Sequence, residues 1–197
     1  MRDLATIVFV LSHACPLKCS FCCHTRDVVG PARMTRAMMA DWMQQFAGEA
    51  GVDRFCFTGG EPFLYLADIK AAVATAREAG VALPFHIVTA AQWVKDRDHA
   101  YEVLAELRSL GMDLVGLSYD HEHAKWVKPE QVIAVCEVAA ELSMLVNLNG
   151  VFWNLEEGLG DLLPVDALPK NVRTRNYLAV PAGRAYSRGI RMAKRPG

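Results

Sequence analysis

The sequence predicts an α/β fold built on a parallel sheet. Short runs rich in β-branched and aromatic residues alternate with longer segments of helical periodicity. Gly51, Gly80 and Gly111 lie where three of the helical segments are expected to stop. Such alternation favours strands joined by right-handed helical crossovers, in either an open doubly wound sheet or a barrel. Both architectures gather their chemistry at the carboxyl ends of the strands.

Six strands and four main helices follow from this pattern. The strands are predicted near residues 6–11, 54–57, 85–88, 114–117, 145–148 and 173–178. Helices are predicted near residues 35–50, 66–79 and 98–110, and a fourth begins near Pro129, a favoured first-turn residue. In the first helix, Met38, Trp42 and Phe46 recur every four residues. In the fourth, an apolar stripe is expected at Val132, Val135, Cys136, Ala139 and Leu142.

Composition indicates a single folded domain over residues 1–197. Of the 197 residues, 52% are hydrophobic and 22% are charged, which is enough apolar material for a core and argues against disorder. The net charge of −1 gives no general attraction for nucleic acid, so no nucleic-acid partner is expected. Residues 185–197 form a basic tail or a partial last helix. This segment contains arginine and lysine but no acidic residue. It is interpreted either as a solvated end or as a docking segment for an anionic substrate or partner.

The expected location is the cytoplasm. No apolar run reaches the ~18 residues that span a bilayer, so no membrane partner is expected. The first fifteen residues do not form a convincing signal peptide, because the apolar run is short and Asp3 interrupts the basic start. In the cytoplasm, cysteines are more often metal ligands or catalytic groups than disulfides.

Three cysteines after the first strand are the first candidates for chemistry. Cys15, Cys19 and Cys22 can wrap one corner of a metal cluster, and three thiolates leave one iron of a four-iron cluster open. The alternatives are a zinc site and a set of buried thiols. Zinc prefers four ligands from paired motifs, and no such second pair occurs. Cys56, within a strand, and Cys136, on a helical stripe, are expected to be small core residues.

The same loop, together with a second motif, resembles the radical S-adenosylmethionine (SAM) superfamily. Cys15, Cys19 and Cys22, with the aromatic Phe21, match the family's C-x3-C-x-aromatic-C signature, and residues 59–62 match its Gly-Gly-Glu-Pro segment after the second strand. The resemblance extends over about residues 6–185. It implies a partial (β/α)6 barrel of the TIM type. It further implies a [4Fe–4S] cluster and SAM as cofactors, and a 5′-deoxyadenosyl radical that abstracts hydrogen from a substrate.

The resemblance also implies a set of site residues. Cys15, Cys19 and Cys22 would be the metal ligands. Glu61 would accept a hydrogen bond from the SAM ammonium, two glycines would let backbone approach the ligand, and Phe21 would lie near the adenine. The Asn-Gly that often follows the family's third strand is absent after Thr89. Cofactor contacts are thus expected, from the resemblance and from strand alternation, at Phe21, Gly59, Gly60, Glu61, Pro62, Thr89, Ser118, Asn147, Asn149 and Arg184.

Four further residues are candidates for catalysis. Asp120 is one, because with Ser118, the cofactor contact named above, it matches a Ser-x-Asp that often ends the family's fourth strand; the alternative for both is a turn or helix cap. His121 and His123 lack the spacing of helical zinc ligands, so structural, acid–base or substrate roles remain open. Cys23, next to the last of the three cysteines, is an inert neighbour, a hydrogen donor or a spare ligand.

A peptide side chain or a small biosynthetic intermediate is the expected substrate. The fourth-strand motif and the Gly-Arg-Ala at residues 183–185 resemble the peptide-modifying and molybdenum-cofactor branch of the family. No cysteine follows Cys136, so no auxiliary-cluster extension is expected, and the first strand begins at once, so a separate protein would deliver any large substrate. Flavodoxin or ferredoxin would donate electrons. The rival hypotheses are an activating enzyme that installs a glycyl radical on a partner protein, and a non-enzymatic iron–sulfur or zinc protein.

Overall fold

The computed structural model describes residues 5–24 and 32–187. It contains one parallel sheet in which each strand pairs with the next strand along the chain. The strands are β1 (Ala5–Val10), β2 (Val52–Thr58), β3 (Phe85–Thr89), β4 (Met112–Ser118), β5 (Leu145–Phe152) and β6 (Val172–Leu178). Between them lie α1 (Arg36–Ala47), α2 (Leu66–Glu78), α3 (Arg97–Ser109) and α4 (Pro129–Glu141), and α5 (Gly183–Ser187) follows β6.

The sheet is an incomplete barrel. Among the described residues β1 pairs only with β2 and β6 only with β5, so the two outer strands do not meet. The predicted partial (β/α)6 barrel is therefore confirmed, and all six strands and four main helices lie within a few residues of their predicted positions. No helix of the described part is long and apolar enough to cross a membrane.

Local sequence signals determine where the helices begin and end. The hydroxyl of Thr35 accepts a hydrogen bond from the backbone N–H of Met38 at the start of α1, and Asp96 does the same for α3. Pro129 is the first residue of α4, as predicted. Gly51, Gly80 and Gly111 have φ of +98°, +85° and +99°. Gly80 and Gly111 directly follow the capping residues of α2 and α3 and end those helices, because a side chain disfavours that conformation. Helix α1 already ends at Ala47, so Gly51 belongs to the turn that leads into β2.

The core lies between the outer face of the sheet and the helices. The stripe predicted on α4 is buried at Val132, Val135, Cys136 and Ala139. The repeat noted in α1 marks a different face, because Met38 and Trp42 are 41% and 40% exposed and the buried residues are Met39, Ala40 and Met43. A period of four residues drifts around a helix of 3.6 residues per turn, so it does not define the buried side. Cys56 and Cys136 are buried, as expected.

The pH dependence of stability tests whether His86, on β3, is buried in its neutral form. Burial and the charge of Arg54 lower the pKa of His86 to about 4, against the raising effect of Asp113. Between that value and the unfolded pKa near 6.5, the unfolded chain binds a proton that the folded chain does not. Stability therefore falls as the pH decreases through this window. We expect cluster-free protein to lose about 1–2 kcal/mol more unfolding free energy between pH 7 and pH 5 than His86→Gln.

Urea unfolding of both proteins at the two pH values measures this difference. The variant serves as the control for all other titrating groups, which are common to both chains. Equal losses in the two proteins would contradict a buried, neutral His86.

Candidate active site

One cavity of about 480 Å³ lies at the carboxyl ends of the strands. Residues at the carboxyl ends of β2 to β6, and residues of the loop after β1, line this cavity. This is the position expected for the active site of a parallel barrel. Most of the residues that the sequence analysis selected are among its lining. These are Cys15, Cys19, Phe21, Cys22, Cys23, Gly59, Gly60, Glu61, Thr89, Ser118, Asp120, His123, Asn149 and Arg184.

The loop after β1 is anchored to the segment after β2. The backbone N–H of Gly60 donates to the carbonyl of Ser12 at 2.8 Å, and that of Glu61 donates to the carbonyl of Ala14 at 2.9 Å. A Cβ on Gly59, which has a φ of +140°, would lie 2.5 Å from the Ser12 carbonyl oxygen. A Cβ on Gly60 would overlap the backbone of Ala14. The two glycines therefore let one backbone segment lie directly against the other.

This contact gives the glycines a role besides the expected one. The sequence analysis assigned them to close approach between backbone and ligand, and that assignment stays a prediction. The approach that the structure contains is between two loops, and it positions the cysteine loop relative to β2.

The same loop is also held from β4 and from the segment after β6. The carboxylate of Glu122 accepts a hydrogen bond from the backbone N–H of Ser20 at 2.8 Å. The backbone N–H of Arg184 donates to the carbonyl of Cys22 at 2.9 Å. Glu122 is buried and pairs with Lys125. The sequence analysis did not select Glu122, since an acid between two histidines carries no signal for a contact with a residue about a hundred positions away.

The three cysteines of the loop are free thiols that face the cavity together. Cys19 is buried, and Cys15 and Cys22 are half-buried. In the described part of the chain, no three His, Cys, Asp or Glu side chains are arranged to hold a single metal ion. Burial raises the pKa of the Cys15 thiol to about 11, so a metal centre would have to displace its proton on binding.

Glu61 places a buried carboxylate at the cavity wall. It is 2% exposed, and its oxygens accept hydrogen bonds from the Thr89 hydroxyl at 2.8 Å and from the backbone N–H groups of Ala90 and Phe63 at 3.1 and 3.2 Å. Burial raises the pKa of Glu61, and these hydrogen bonds oppose that effect. A cationic ligand in the cavity would stabilise the ionised form. The carboxylate is thus suited to recognise an ammonium group.

Asp120 organises the turn after β4. Its side chain is fully buried and accepts hydrogen bonds from the backbone N–H groups of Glu122, His123 and Val151 at 3.0, 3.1 and 3.2 Å. Nδ1 of His123 lies 2.8 Å from the same carboxylate, although its N–H is not aligned with the oxygen. The turn that the sequence analysis considered for Asp120 is therefore present. A catalytic role for Asp120 stays a prediction.

His123 connects Asp120 with the cysteine loop. Burial lowers the pKa of His123, but the nearby Asp120 carboxylate and Cys19 thiol outweigh that effect and raise the pKa to about 10. The ring also lies 6.0 Å from that of Phe21, centroid to centroid. His123 therefore lies between the Asp120 carboxylate and the cysteine loop, and its catalytic role stays a prediction.

Apolar side chains form the rest of the cavity wall. Phe21 packs edge-on against Trp153 with ring centroids 5.7 Å apart. Further apolar lining comes from Val88, Val151, Tyr177, Leu178 and Val180. The sequence analysis missed this wall, although the alternation that selected Asn149 also places Val151 on the same face of β5.

Three of the selected residues lie outside the cavity lining. His121 is exposed and packs edge-on against Phe152, with ring centroids 5.8 Å apart. Asn147 lies two residues before Asn149, on the same face of β5 but nearer its amino end. Pro62 is buried at the start of the short turn Pro62–Tyr65. The segment 188–197, which holds most of the predicted basic tail, lies outside the described residues.

Comparison with known proteins identifies the family. The model of the radical SAM superfamily matches residues 9–154, which include the cysteine loop and the Gly-Gly-Glu-Pro segment. The chain belongs to the radical SAM superfamily. It is therefore an enzyme of a family that uses SAM and a [4Fe–4S] cluster. Among solved structures of similar fold, one holds SAM and another holds a [4Fe–4S] cluster together with cobalamin.

The proteins similar to this radical SAM chain include one named for peptide biosynthesis and two solved with bound peptides. It is 23% identical over 163 residues to YydG of Bacillus subtilis (strain 168), whose name proposes a role in peptide biosynthesis, covering 79% of this chain and 50% of YydG. Streptococcus suis SuiB, solved with its precursor peptide SuiA, is similar with a TM-score of 0.64 and 23% identity, over 90% of this chain and 40% of SuiB. The enzyme anSMEcpe, solved with SAM and a peptide, gives a TM-score of 0.65 and 17% identity, over 89% and 51%.

The matched region is shorter than these proteins. The chain spans half the length of YydG, and about two-fifths and one-half of the lengths of SuiB and anSMEcpe. Below 25% identity the two solved structures establish the fold that the chain shares with them, and the predicted family and cofactors are confirmed by the family match.

Proposed function

We propose that the cavity is the active site of a radical SAM enzyme that modifies a peptide or a small biosynthetic intermediate. One observation carries the proposal. Three thiols and a buried carboxylate, from two different strand ends, converge on a single cavity with an apolar wall. Neither a turn motif nor a set of core cysteines requires that arrangement.

Cys15, Cys19 and Cys22 would hold the [4Fe–4S] cluster. The donor set fits, because thiolates are the usual ligands of such clusters and three of them leave one iron for SAM. The loop that carries them is fixed from β2, β4 and the segment after β6, so its shape does not depend on the cluster alone. When bound and reduced, the cluster would supply one electron to SAM, giving methionine and the 5′-deoxyadenosyl radical that abstracts hydrogen from the substrate.

The residues around the cluster loop would bind SAM. Glu61, already restrained by Thr89, would accept a hydrogen bond from the SAM ammonium. Phe21 would pack near the adenine, against Trp153. Ser118 and Asn149 are neighbours in the register of β4 and β5 and would offer polar contacts on the opposite wall. The apolar wall would limit the access of water to the radical.

Peptide modification is the favoured branch. The support is the similarity to YydG and to structures solved with peptides. An electron donor such as flavodoxin or ferredoxin would reduce the cluster, and a separate protein would deliver a peptide substrate. A cytoplasmic location agrees with the need to keep the thiols reduced.

Cleavage of SAM tests the class. The protein would be loaded with iron and sulfide without oxygen, mixed with SAM and dithionite, and assayed for 5′-deoxyadenosine by chromatography. Formation of 5′-deoxyadenosine, with about four irons per chain, is expected. Iron loading without SAM binding or cleavage would overturn the proposal, and SAM binding without cleavage would indicate that the substrate controls the step.

Glu61→Gln tests the SAM site separately from the cluster. The variant keeps the size of the side chain but loses the negative charge, so we expect full iron content and a SAM affinity about 10- to 150-fold weaker, as for a lost charged hydrogen bond. Calorimetric titration with SAM measures this. Glu102→Gln, which removes an exposed charge on α3, is the matched control and should bind SAM normally. Unchanged affinity in Glu61→Gln would remove Glu61 from the SAM site.

A further inference from the structure

The charge of the chain is divided unequally along its length. Eight of the 21 Lys and Arg residues lie after Asp166, where no Asp or Glu occurs. The first 166 residues therefore carry 13 basic against 22 acidic residues, although the net charge of the whole is only −1. A cationic segment on an otherwise acidic chain indicates an anionic partner for that segment.

Two of these arginines lie on the inner face of β6. Tyr177 and Leu178, at the end of β6, both line the cavity, and alternation places Arg173 and Arg175 on the face of Tyr177. The register agrees, because Arg175 is opposite Asn149, which also lines the cavity, and Arg173 is opposite Asn147. The arginines therefore extend from the cavity along the inside of the outermost strand.

Nothing in the described part of the chain neutralises these two charges. Arg173 and Arg175 are exposed and form no ion pair there. By contrast, Arg54 on the same inner surface of the barrel forms a two-point pair with Asp113 at 2.9 and 3.1 Å. Among the described residues, Arg54 therefore has an acidic partner, whereas Arg173 and Arg175 on β6 have none. Within residues 5–24 and 32–187, β6 pairs with β5 only, so its other edge leaves a side from which a ligand can reach them.

We propose that the inner face of β6 binds the carboxylates of an acidic segment of the peptide substrate. The inference rests on the proposed function and names the substrate class. The Cα atoms of two residues that lie two positions apart on a strand are roughly 6–7 Å apart. Alternate residues of an extended peptide have the same spacing, so its side chains can match the two arginines. Each can hold a carboxylate through two hydrogen bonds. An extended peptide with alternating acidic residues would lie along β6 and place its neighbouring residue in the cavity.

A peptide fits this surface better than a nucleic acid. The remaining 166 residues carry an excess of acid, which repels a long polyanion. The cavity beside the arginines has aliphatic and aromatic walls, which suit an amino-acid side chain better than a phosphate backbone.

Binding of short peptides tests the proposal. The probe is a fluorescein-labelled peptide of alternating Glu and Ala, with Gln–Ala and Lys–Ala peptides as comparisons, titrated with cluster-loaded protein and SAM at physiological salt. We expect the Glu–Ala peptide to bind most tightly. The double variant Arg173→Gln/Arg175→Gln should bind it at least about tenfold more weakly. Lys170→Gln removes one charge from the turn before β6 and is the matched control, with an affinity within about twofold of the wild type.

Four results would overturn the proposal. These are equal binding of the Glu–Ala and Gln–Ala peptides, unchanged Glu–Ala binding in the double variant, loss of SAM affinity in that variant, and displacement of the peptide by a tighter-binding oligouridylate. Loss of SAM affinity would assign the arginines to the SAM carboxylate, and displacement would assign the surface to RNA. Failure of the proposed function is distinct, because it appears as the absence of 5′-deoxyadenosine in the wild-type protein.

Discussion

Replacement of Cys19 by alanine is expected to abolish both the iron–sulfur cluster and the cleavage of SAM. Cys19 is the buried member of the three thiols and contacts His123, so its loss removes the central ligand and leaves only two. Two thiolates from one short loop do not hold a four-iron cluster. Iron and sulfide content, the visible absorption of the loaded protein and the 5′-deoxyadenosine assay should all fall to background.

Cys23→Ala is the control for this experiment. Cys23 lies in the same loop and faces the same cavity but is exposed. With Cys15, Cys19 and Cys22 intact, the variant should retain about four irons per chain, whatever its effect on turnover. Full iron content in Cys19→Ala, or its loss in Cys23→Ala, would show that the ligand assignment is wrong.

Gly60→Ala is expected to have the second-largest effect, through geometry alone. The added methyl group would overlap the carbonyl of Ala14 and lie 2.9 Å from the carbonyl carbon of His13. These atoms belong to backbone, which cannot move aside as a flexible side chain can. The loop of cysteines must therefore shift relative to β2, at a cost of about 1–3 kcal/mol in unfolding free energy. Iron loading and SAM affinity should decrease with it.

Gly48→Ala provides a matched comparison. Gly48 has a φ of −89° and no heavy atom within 4 Å of the position that a Cβ would occupy. The same substitution there should be neutral or stabilise the protein by about 0.4–1 kcal/mol. Urea unfolding and iron content of the two variants are the measurements. If Gly60→Ala behaved like Gly48→Ala, the contact between the two loops would not hold the site together.

The sequence predicted the fold well because its signals are local. Strand runs, helix caps and the three glycines with positive φ each depend on a few neighbouring residues. The buried side of α1 could not be read in this way. Trp42 is large and apolar and yet remains partly exposed at the edge of the core, where it stacks with Phe9 at 6.4 Å between ring centroids. The elements that pack against α1, which include α2 and β2, decide which face is covered.

The sequence predicted which residues line the site better than it predicted which residues contact one another there. The motif alone selected Glu61 and Gly60, and both lie at the cavity. Their partners, Thr89 for the carboxylate and Ala14 for the glycine, come from distant segments that only the fold brings near. Glu122 was missed for the same reason. The catalytic role predicted for Asp120 stays a prediction, and its hydrogen bonds with backbone N–H groups are contacts that sequence spacing does not show.

The order of the strands has a consequence for the way the protein is made. Each strand pairs with its predecessor in the chain, so a nascent polypeptide can add one strand–helix unit after another as it leaves the ribosome. The cysteine loop, in contrast, is complete only when Glu122 reaches Ser20 and Arg184 reaches Cys22. Most of the barrel can thus form before the cysteine loop has made its hydrogen bonds to Glu122 and Arg184. Delivery of iron and sulfide would then be a late step of biogenesis, timed by the release of the last strand.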